Sequence, residues 1–171
     1  MTFISGSCNF IILDSYEASK VPNSFEDMIS SYISLVEALV SSPHKVNILL
    51  AETLTTIVEA KAVVNALQTL KRDRDRDTST AGISLWMSWT LNDDHACKLR
   101  SGEKLIDAVK VILDYTKSCG KPHNSVRIDA ILVNCCHPST CNDAIKVLKE
   151  VIPRGKKISE IQFITAVLNR I

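Results

Sequence analysis

A cysteine follows a long apolar run in the second half of this chain. Residues 128–133 are almost all apolar, Asn134 and Cys135 come directly after them, and residues 136–140 have the composition of a loop. This order predicts a thiol at the carboxyl end of a buried parallel strand. Ligands bind at that end of the strands in barrels and in open α/β sheets. A thiolate there can bind zinc, act as a nucleophile or do neither, so the function depends on its neighbours.

Three other apolar runs end in residues that can bind a ligand. The residues at the ends of the four runs are Asp14 and Tyr16, Glu52 and Thr53, Ser88 and Trp89, and Asn134 and Cys135. If the runs are parallel strands, these ends lie at one edge of the sheet. A carboxylate, a phenol, an amide and a thiol on one rim suit a small zwitterionic or thiol-bearing ligand. The carboxylate would receive an ammonium group, and the amide would fix the ligand's orientation.

Each of these residues also has a purely structural interpretation. Glu52 could cap the helix that follows it, because acidic residues suit helix N-termini. Tyr16 could be a partly buried core aromatic, and a single cysteine such as Cys135 is more often a small buried hydrophobe than a ligand. Four strands that end in polar groups are more informative together than any one residue is. The pattern therefore favours a binding site.

Residues 135–141 contain three cysteines and a histidine. Zinc sites usually combine one closely spaced Cys pair with a second pair of ligands elsewhere. Adjacent cysteines at a strand end point to opposite faces, so Cys135 and Cys136 do not easily bind one ion from a regular strand. We therefore do not expect a self-contained zinc knuckle. Cys141 lies near a predicted helix N-terminus, but nothing marks it as a nucleophile, and no Ser-His-Asp triad is indicated.

Predicted helices alternate with the predicted strands. The strands cover 10–14, 46–51, 82–89 and 128–133, and the helices run from Ser24 to Pro43, through 57–70 and 106–113, from about 141 to 151, and from about 159 along the tail. The helices show apolar residues every three or four positions, whereas the strands are apolar on both faces. This order demands a parallel sheet covered by helices. It fits an open doubly wound sheet or part of a (β/α)₈ barrel, and the sequence lacks the usual glycine-rich phosphate loops.

Composition narrows the class of protein. With 46% hydrophobic and 23% charged residues, the 171-residue chain suits a single globular domain over 1–171 or an incomplete larger one. Its net charge of +1 argues against a basic face that binds nucleic acid. No apolar stretch reaches the roughly 18 residues that cross a bilayer, so we expect no membrane partner. The N-terminus lacks the pattern of a signal peptide, and we expect a cytoplasmic protein with free thiols.

Four motifs resemble those of the homocysteine S-methyltransferase family. Residues 11–19 are similar to its Tyr-Gln-Ala-Ser strand and loop, and residues 51–60 to its Glu-Thr-Ile-Pro motif with the following helix. Residues 87–89 and 99–103 resemble its Ser-Phe strand and Ser-Gly loop, and residues 133–135 match its Val-Asn-Cys motif. The resemblance implies a (β/α)₈ TIM barrel, here a partial one with about four βα units and parallel strands. Such a protein moves a methyl group onto the sulfur of homocysteine and yields methionine.

The resemblance also implies roles for individual residues. Cys135 would be one ligand of a zinc ion that holds the homocysteine thiol as thiolate, the reactive form. Glu52 would receive the substrate ammonium, while Tyr16 and Asn134 would line the substrate pocket. No side chain is assigned a catalytic acid or base role, because positioning supplies much of the catalysis. The methyl donor would be S-methylmethionine, S-adenosylmethionine or a betaine, and the general pattern is closest to the S-methylmethionine branch.

The chain departs from the family pattern in several ways. The family's other two zinc ligands form an adjacent cysteine pair after two glycines, and this sequence has no such segment. Thr55 stands in place of the proline of Glu-Thr-Ile-Pro. The resemblance is expected to end near Lys149, which would leave residues 152–171 as a divergent C-terminal helix. We therefore expect a truncated homocysteine-binding domain that carries one of three zinc ligands.

Three functions follow from these observations. If the chain is a homocysteine S-methyltransferase, we expect it to bind zinc and to form methionine from homocysteine and a sulfonium donor. If it is a catalytically inactive fragment or pseudoenzyme that serves as a binding or assembly module, we expect it to bind homocysteine or a partner without turnover. If it is an unrelated open α/β protein with a reactive Cys135, we expect thiol-dependent chemistry that continues in the presence of metal chelators. Because a four-unit parallel sheet leaves two open edges, we expect the isolated chain to be poorly stable, to self-associate or to pair with complementary segments.

Overall fold

The structure is a computed structural model that describes residues 4–5, 8–9, 24–41, 46–73, 82–94, 96–118, 126–151 and 162–165. Its helices in these ranges are α1 (Phe25–Val40), α2 (Ile57–Asp73), α3 (Leu105–Ser118) and α4 (Pro138–Val151). Its strands there are β1 (Ile4–Ser5), β2 (Cys8–Asn9), β3 (Ile48–Leu54), β4 (Ser84–Thr90), β5 (Ile128–Asn134) and β6 (Gln162–Thr165). None of the helices in these ranges is both long and apolar enough to cross a bilayer.

The main sheet is parallel throughout its described part. Its strand order is β3-β4-β5-β6, so each strand pairs with the next one along the chain, and β1 and β2 form a separate antiparallel pair. The predicted α/β class with parallel strands is therefore confirmed. Strands that follow one another in sequence order without a reversal are typical of (β/α)₈ barrels, whereas doubly wound sheets reverse at a switch point. The described sheet is consistent with part of such a barrel.

The core lies between the sheet and the helices. Alternate strand residues that join it are Leu49 and Ala51, Leu85, Met87 and Trp89, and Ile131 and Val133, and they meet the apolar faces of α2, α3 and α4. Because successive strand residues point to opposite faces, this row of side chains faces the helices. The other face carries mostly buried residues too, such as Ala130 and Leu132. Burial on both faces explains why the strands are nearly continuous apolar runs.

Two helix starts follow directly from local chemistry. Ser24 caps α1 because its Oγ accepts a hydrogen bond of 3.2 Å from the Asp27 amide, as the sequence predicts. Helix α4 begins at Pro138, three residues before the predicted start near Cys141. Proline suits the first helical position, since its missing N–H would have no partner there and its φ is already helical.

The structure near the C-terminus shows that one prediction is wrong. Residues 162–165 form strand β6 instead of part of a helix, and they pair in parallel with residues 130–133 of β5. Periodicity alone does not separate a short apolar strand from a helix, and the β-branched and aromatic residues of this segment favour the strand. The predicted strand at 10–14 and the rest of the C-terminal segment lie outside the described residues.

Candidate functional site

Four residues meet at the carboxyl ends of β3 and β5. The Asn134 Nδ2 atom lies 2.9 Å from Thr53 Oγ1 and 3.4 Å from Glu52 Oε1, and both oxygens accept from it. The same nitrogen is 3.5 Å from Cys135 Sγ. We call Glu52, Thr53, Asn134 and Cys135 the rim cluster. Its amide thus connects an acid and a thiol that come from different strands.

The rim cluster is largely withdrawn from water. Asn134 is 1% exposed and Glu52 is 7% exposed, whereas Cys135 is half-buried. The Oδ1 atom of Asn134 is buried and has no hydrogen-bond partner among the described residues. A buried carbonyl oxygen without a partner carries a cost of about 1–3 kcal/mol, which a ligand with an N–H donor would remove. The site therefore presents an acceptor beside the Glu52 carboxylate.

Two members of the rim cluster have left-handed backbone. The φ angle of Thr53 is 62° and that of Cys135 is 51°. Such values are rare for non-glycine residues, and they are true outliers for a β-branched residue such as Thr53. At Thr53 the conformation coincides with a shift in strand register between Ala51 and Leu54. Strain of this kind costs about 1–3 kcal/mol per residue and clusters at functional sites.

The backbone at Cys135 is held by two side chains. Its carbonyl oxygen accepts from Thr90 Oγ1 at 3.4 Å and from Arg100 Nη2 at 3.3 Å. Thr90 ends β4 and is fully buried, so it fixes this turn from the neighbouring strand. These contacts stabilise the left-handed turn that carries the thiol. Sequence reasoning missed both residues, although the position of Thr90 directly after Trp89 at a strand end is a signal for it.

The loop that supplies Arg100 is tied to the start of α2. Glu103 Oε2 accepts from the Ile57 amide at 2.9 Å and from Ser101 Oγ at 2.7 Å. The Ser101 amide donates to the Thr55 carbonyl at 3.3 Å. An acid at a helix N-terminus also interacts favourably with the helix dipole. Glu103 and its neighbours therefore hold the loop over the rim of the sheet.

The alternative role proposed for Glu52, a cap for the next helix, is filled by other residues. Thr56 Oγ1 accepts from the Glu59 amide at 3.0 Å, and Glu103 takes the Ile57 amide. Glu59 is itself only 2% exposed, and its carboxylate accepts from the Thr55 amide and hydroxyl at 3.0 and 3.3 Å. Glu52 lies four residues before Thr56, at the rim.

Glu59 also accepts from the hydroxyl of Tyr32 on α1, at 3.1 Å. Burial raises the pKa of Tyr32 well above its usual range, and the nearby Glu59 carboxylate raises that pKa further. The hydroxyl therefore stays protonated and keeps its bond to Glu59. This contact joins α1 to the start of α2, so the buried acid has a structural partner.

A second group of sulfur atoms follows the rim cluster along the chain. The Sγ atoms of Cys136 and Cys141 are 3.3 Å apart. Burial raises the pKa of Cys136 to about 12, with a further contribution from the hydrogen bond to Cys141. Burial also raises the pKa of Cys97. Among the residues that the structure describes, no three Cys, His, Asp or Glu side chains are placed to hold a metal ion.

The structure brings some of the predicted site residues together, while others lie outside the described ranges. Glu52, Asn134 and Cys135 come together, and Thr53 joins them, but Tyr16 and Asp14 lie outside the described residues. A zinc site takes three or four protein ligands, and the described residues offer one sulfur at the rim, that of Cys135. They do not make up a zinc site by themselves. The arrangement they do form suits an ammonium group beside a half-buried thiol.

The sheet and the rim cluster define the class of this protein: an α/β protein of the barrel type with its polar site at the carboxyl ends of parallel strands. The family model described as homocysteine S-methyltransferase matches residues 3–168, and the chain belongs to this family. A methyltransferase type of function is thereby supported. The match runs well past Lys149, so the expectation that the resemblance ends there is wrong. No curated protein and no solved structure matches the chain significantly.

Proposed function

We propose that the protein transfers a methyl group from a sulfonium donor, S-methylmethionine or S-adenosylmethionine, to the thiol of homocysteine and forms methionine. The single observation that carries this proposal is the contact of Asn134 with both Glu52 and Cys135. This contact supports the proposal because one amide side chain touches both a buried carboxylate, which can receive an ammonium group, and a half-buried thiol. Family membership supplies the type of reaction.

The rim cluster binds and orients the amino-acid end of homocysteine. The Glu52 carboxylate receives the ammonium group, and the unpartnered Asn134 Oδ1 accepts a second N–H from it. A charge-assisted hydrogen bond is about twice as strong as a neutral one, and the burial of Glu52 strengthens it further. Asn134 Nδ2 fixes the carboxylate by donating to Oε1. Tyr16 is proposed to line the same space.

The reaction is a displacement at a methyl carbon. The homocysteine sulfur forms a bond to that carbon, while the bond from the carbon to the sulfonium sulfur breaks and leaves a neutral thioether. The thiol proton passes to solvent. Because no protein group needs to exchange a proton with the donor, the protein contributes mainly by holding the two sulfur atoms in line with the methyl group.

We further propose that Cys135 is a zinc ligand when other ligands complete the site. Zinc would supply a Lewis acid that keeps a bound thiol ionised near neutral pH. Any zinc that the purified protein holds is expected to depend on Cys135, so Cys135→Ser is expected to lower the zinc content. The matched control Cys97→Ser changes a buried cysteine in the loop 91–104 and is expected to keep the metal. Equal zinc content in all three proteins would contradict a role for Cys135.

Activity tests the proposal directly. The protein is incubated with homocysteine and each donor in turn, and methionine is measured by mass spectrometry. Glu52→Gln keeps the shape of the side chain but loses its charge, and it is expected to lower kcat/KM about 100-fold. Glu37→Gln changes an exposed acid on α1 and serves as the control.

If no methionine forms, calorimetry with homocysteine shows whether the protein still binds this substrate or does not bind it at all. Binding without methionine formation from either donor would identify a binding module. This outcome is favoured by the fact that Cys135 is the one candidate zinc ligand at the rim among the described residues. No binding and no turnover would overturn the proposed function.

A further inference from the structure

Cys136 and Cys141 form a pair of neighbouring thiols that the proposed reaction does not use. Cys136 follows β5, and Cys141 is the fourth residue of α4. Their sulfur atoms are 3.3 Å apart, close to van der Waals contact. Cys136 is half-buried and accessible, whereas Cys141 is 1% exposed. The pair therefore has one partly exposed residue, which a reagent would reach first, and one buried residue.

The geometry of this pair suits a disulfide. A disulfide has its sulfur atoms about 2.05 Å apart, and two cysteines are bridged without backbone movement only if their side chains already face each other. Here the side chains already touch, so a small rotation brings the sulfur atoms together. The hydrogen bond of 3.1 Å from the Cys141 amide to the His137 carbonyl fixes the turn between them.

Other uses of these thiols fit the structure less well. A metal site needs further ligands, and among the described residues no third Cys, His, Asp or Glu joins the pair. Cys135 is adjacent in sequence, but its sulfur lies beside the Asn134 amide in the rim cluster. Cys97 is buried in the loop 91–104, and its backbone is left-handed, with a φ of 48°. Cys141 is the sulfur that the structure puts in contact with Cys136.

We propose that Cys136 and Cys141 form a reversible intrachain disulfide when the protein meets a small-molecule disulfide. The Cys136 thiol first loses its proton to solvent, and its sulfur then attacks one sulfur of the oxidant, breaks the oxidant's S–S bond and releases the other half as a thiolate. The Cys141 sulfur then attacks Cys136 and releases the second half. The protein loses two protons and two electrons, and the oxidant becomes two thiols. The new bond ties the loop after β5 to α4, directly beside the backbone of Cys135.

Oxidised glutathione is the probe, and dithiothreitol reverses the reaction. After oxidation and alkylation of the remaining thiols, trypsin releases the peptide 128–146, which contains Cys135, Cys136 and Cys141. We expect this peptide to be lighter by two hydrogen atoms and to carry one alkyl group, located on Cys135 by fragmentation. This measurement uses the unaltered protein, so it does not depend on a variant that folds.

Variants then test the order of the two steps. Cys141→Ser is expected to stop at a glutathione adduct on Cys136, because the second sulfur is missing. Cys136→Ser is expected to form neither the adduct nor the disulfide, and Cys135→Ser is expected to keep the disulfide. A bond that maps to Cys135, or no bond at any ratio of oxidised to reduced glutathione, would overturn the proposal. Neither result depends on whether the protein transfers methyl groups.

Discussion

Asn134 is the residue on which the rim cluster depends. Its amide nitrogen donates to Glu52 and Thr53, while its amide oxygen is buried without a partner in the described part of the chain. An amide is the side chain of this size that donates and accepts at the same time. A carboxylate in its place would accept only, and it would do so 3.4 Å from another acid.

We therefore expect Asn134→Asp to destabilise the protein in a pH-dependent way. At pH 7 the free energy of unfolding should fall by about 1–3 kcal/mol, because two buried carboxylates repel each other and the donor is lost. At acid pH the folded pair retains a proton that the unfolded chain also holds, so the penalty is smaller. As pH rises, the unfolded chain releases that proton first and stability is lost. Urea unfolding at pH 4 and pH 7 measures the difference.

The matched control is Asn142→Asp, which changes an exposed residue in the first turns of α4. It is expected to have little effect at either pH. A penalty for Asn134→Asp that is the same at both pH values would contradict like-charge repulsion with Glu52.

Part of the rim cluster could be predicted from residue types alone. Glu52, Asn134 and Cys135 were expected at one edge because the ends of parallel strands meet there. The left-handed backbone at Thr53 was not, since threonine is a residue that rarely adopts it. Arg100 was missed because its contact to Cys135 depends on how a 14-residue segment, 91–104, folds back over the sheet.

At the scale of elements, the start of α2 gathers contacts from three parts of the chain. Glu59 binds Thr55 and the Tyr32 hydroxyl of α1, and Glu103 binds the Ile57 amide. A buried acid is tolerated only if its oxygens have donors, and here they do. These contacts set the position of α2 relative to α1 and to the loop that carries Arg100.

Tyr32→Phe should destabilise the protein by about 1–2 kcal/mol at neutral pH, because Glu59 loses a donor in a buried place. The pKa of Tyr32 is raised in the folded protein, so its contribution is fully present below the ordinary value of 10.0 and declines as pH rises above it. The gap between the two proteins should therefore narrow above about pH 10. Thermal unfolding from pH 7 to pH 11 measures it.

Ser34→Ala, on the exposed face of α1, is the control for this comparison and should leave both stability and its pH dependence unchanged. If the gap between the unaltered protein and Tyr32→Phe stayed constant across this range, the hydroxyl would not be held protonated by its burial and by Glu59.

Glu103→Ala should loosen the loop over the rim. The Ile57 amide loses its acceptor, and we expect a cost of about 1–2 kcal/mol together with faster hydrogen exchange at the start of α2. Ser101→Ala removes only the partner hydroxyl and should have a much smaller effect. Unchanged exchange at Ile57 in Glu103→Ala would show that this contact does not hold the helix start.

Helices and strands were predicted correctly where the apolar pattern covered many residues. The predicted start of α1 at Ser24 is confirmed, and β4 and β5 lie where apolar runs predicted strands. The error at residues 162–165 arose because the apolar spacing of the tail, taken alone, did not distinguish a short strand from a helix. There, pairing with β5 decides the structure.

At the scale of the whole molecule, the described sheet has two outer strands. Within the described residues, β3 pairs in the sheet with β4 alone and β6 with β5 alone. Unpaired strand edges are templates for pairing with another chain. The half-buried side chains of Ile48 and Leu50 in β3 lie outside the helix-facing core. Of the two outer strands, β3 is the one whose side chains the structure describes, so the association is tested there.

We expect the purified chain to self-associate in a concentration-dependent way, as measured by analytical ultracentrifugation. Ile48→Lys places a charge on β3 and should weaken the association, because edge lysines oppose strand pairing. Leu35→Lys places the same charge on an exposed position of α1, where Leu35 is 37% exposed, and should not weaken it. A monomer of constant mass at all concentrations would refute this expectation.

The separation of Glu52 and Asn134 along the chain has a consequence for synthesis. The two residues are 82 positions apart, so the acid leaves the ribosome long before its amide partner exists. Until β5 has been made and has docked against β4, Glu52 and the strained Thr53 have no Asn134 to bind them. A nascent chain stopped within α3 should therefore lack this site, and Glu52 and Thr53 should stay accessible to chaperones and proteases until β5 has been made.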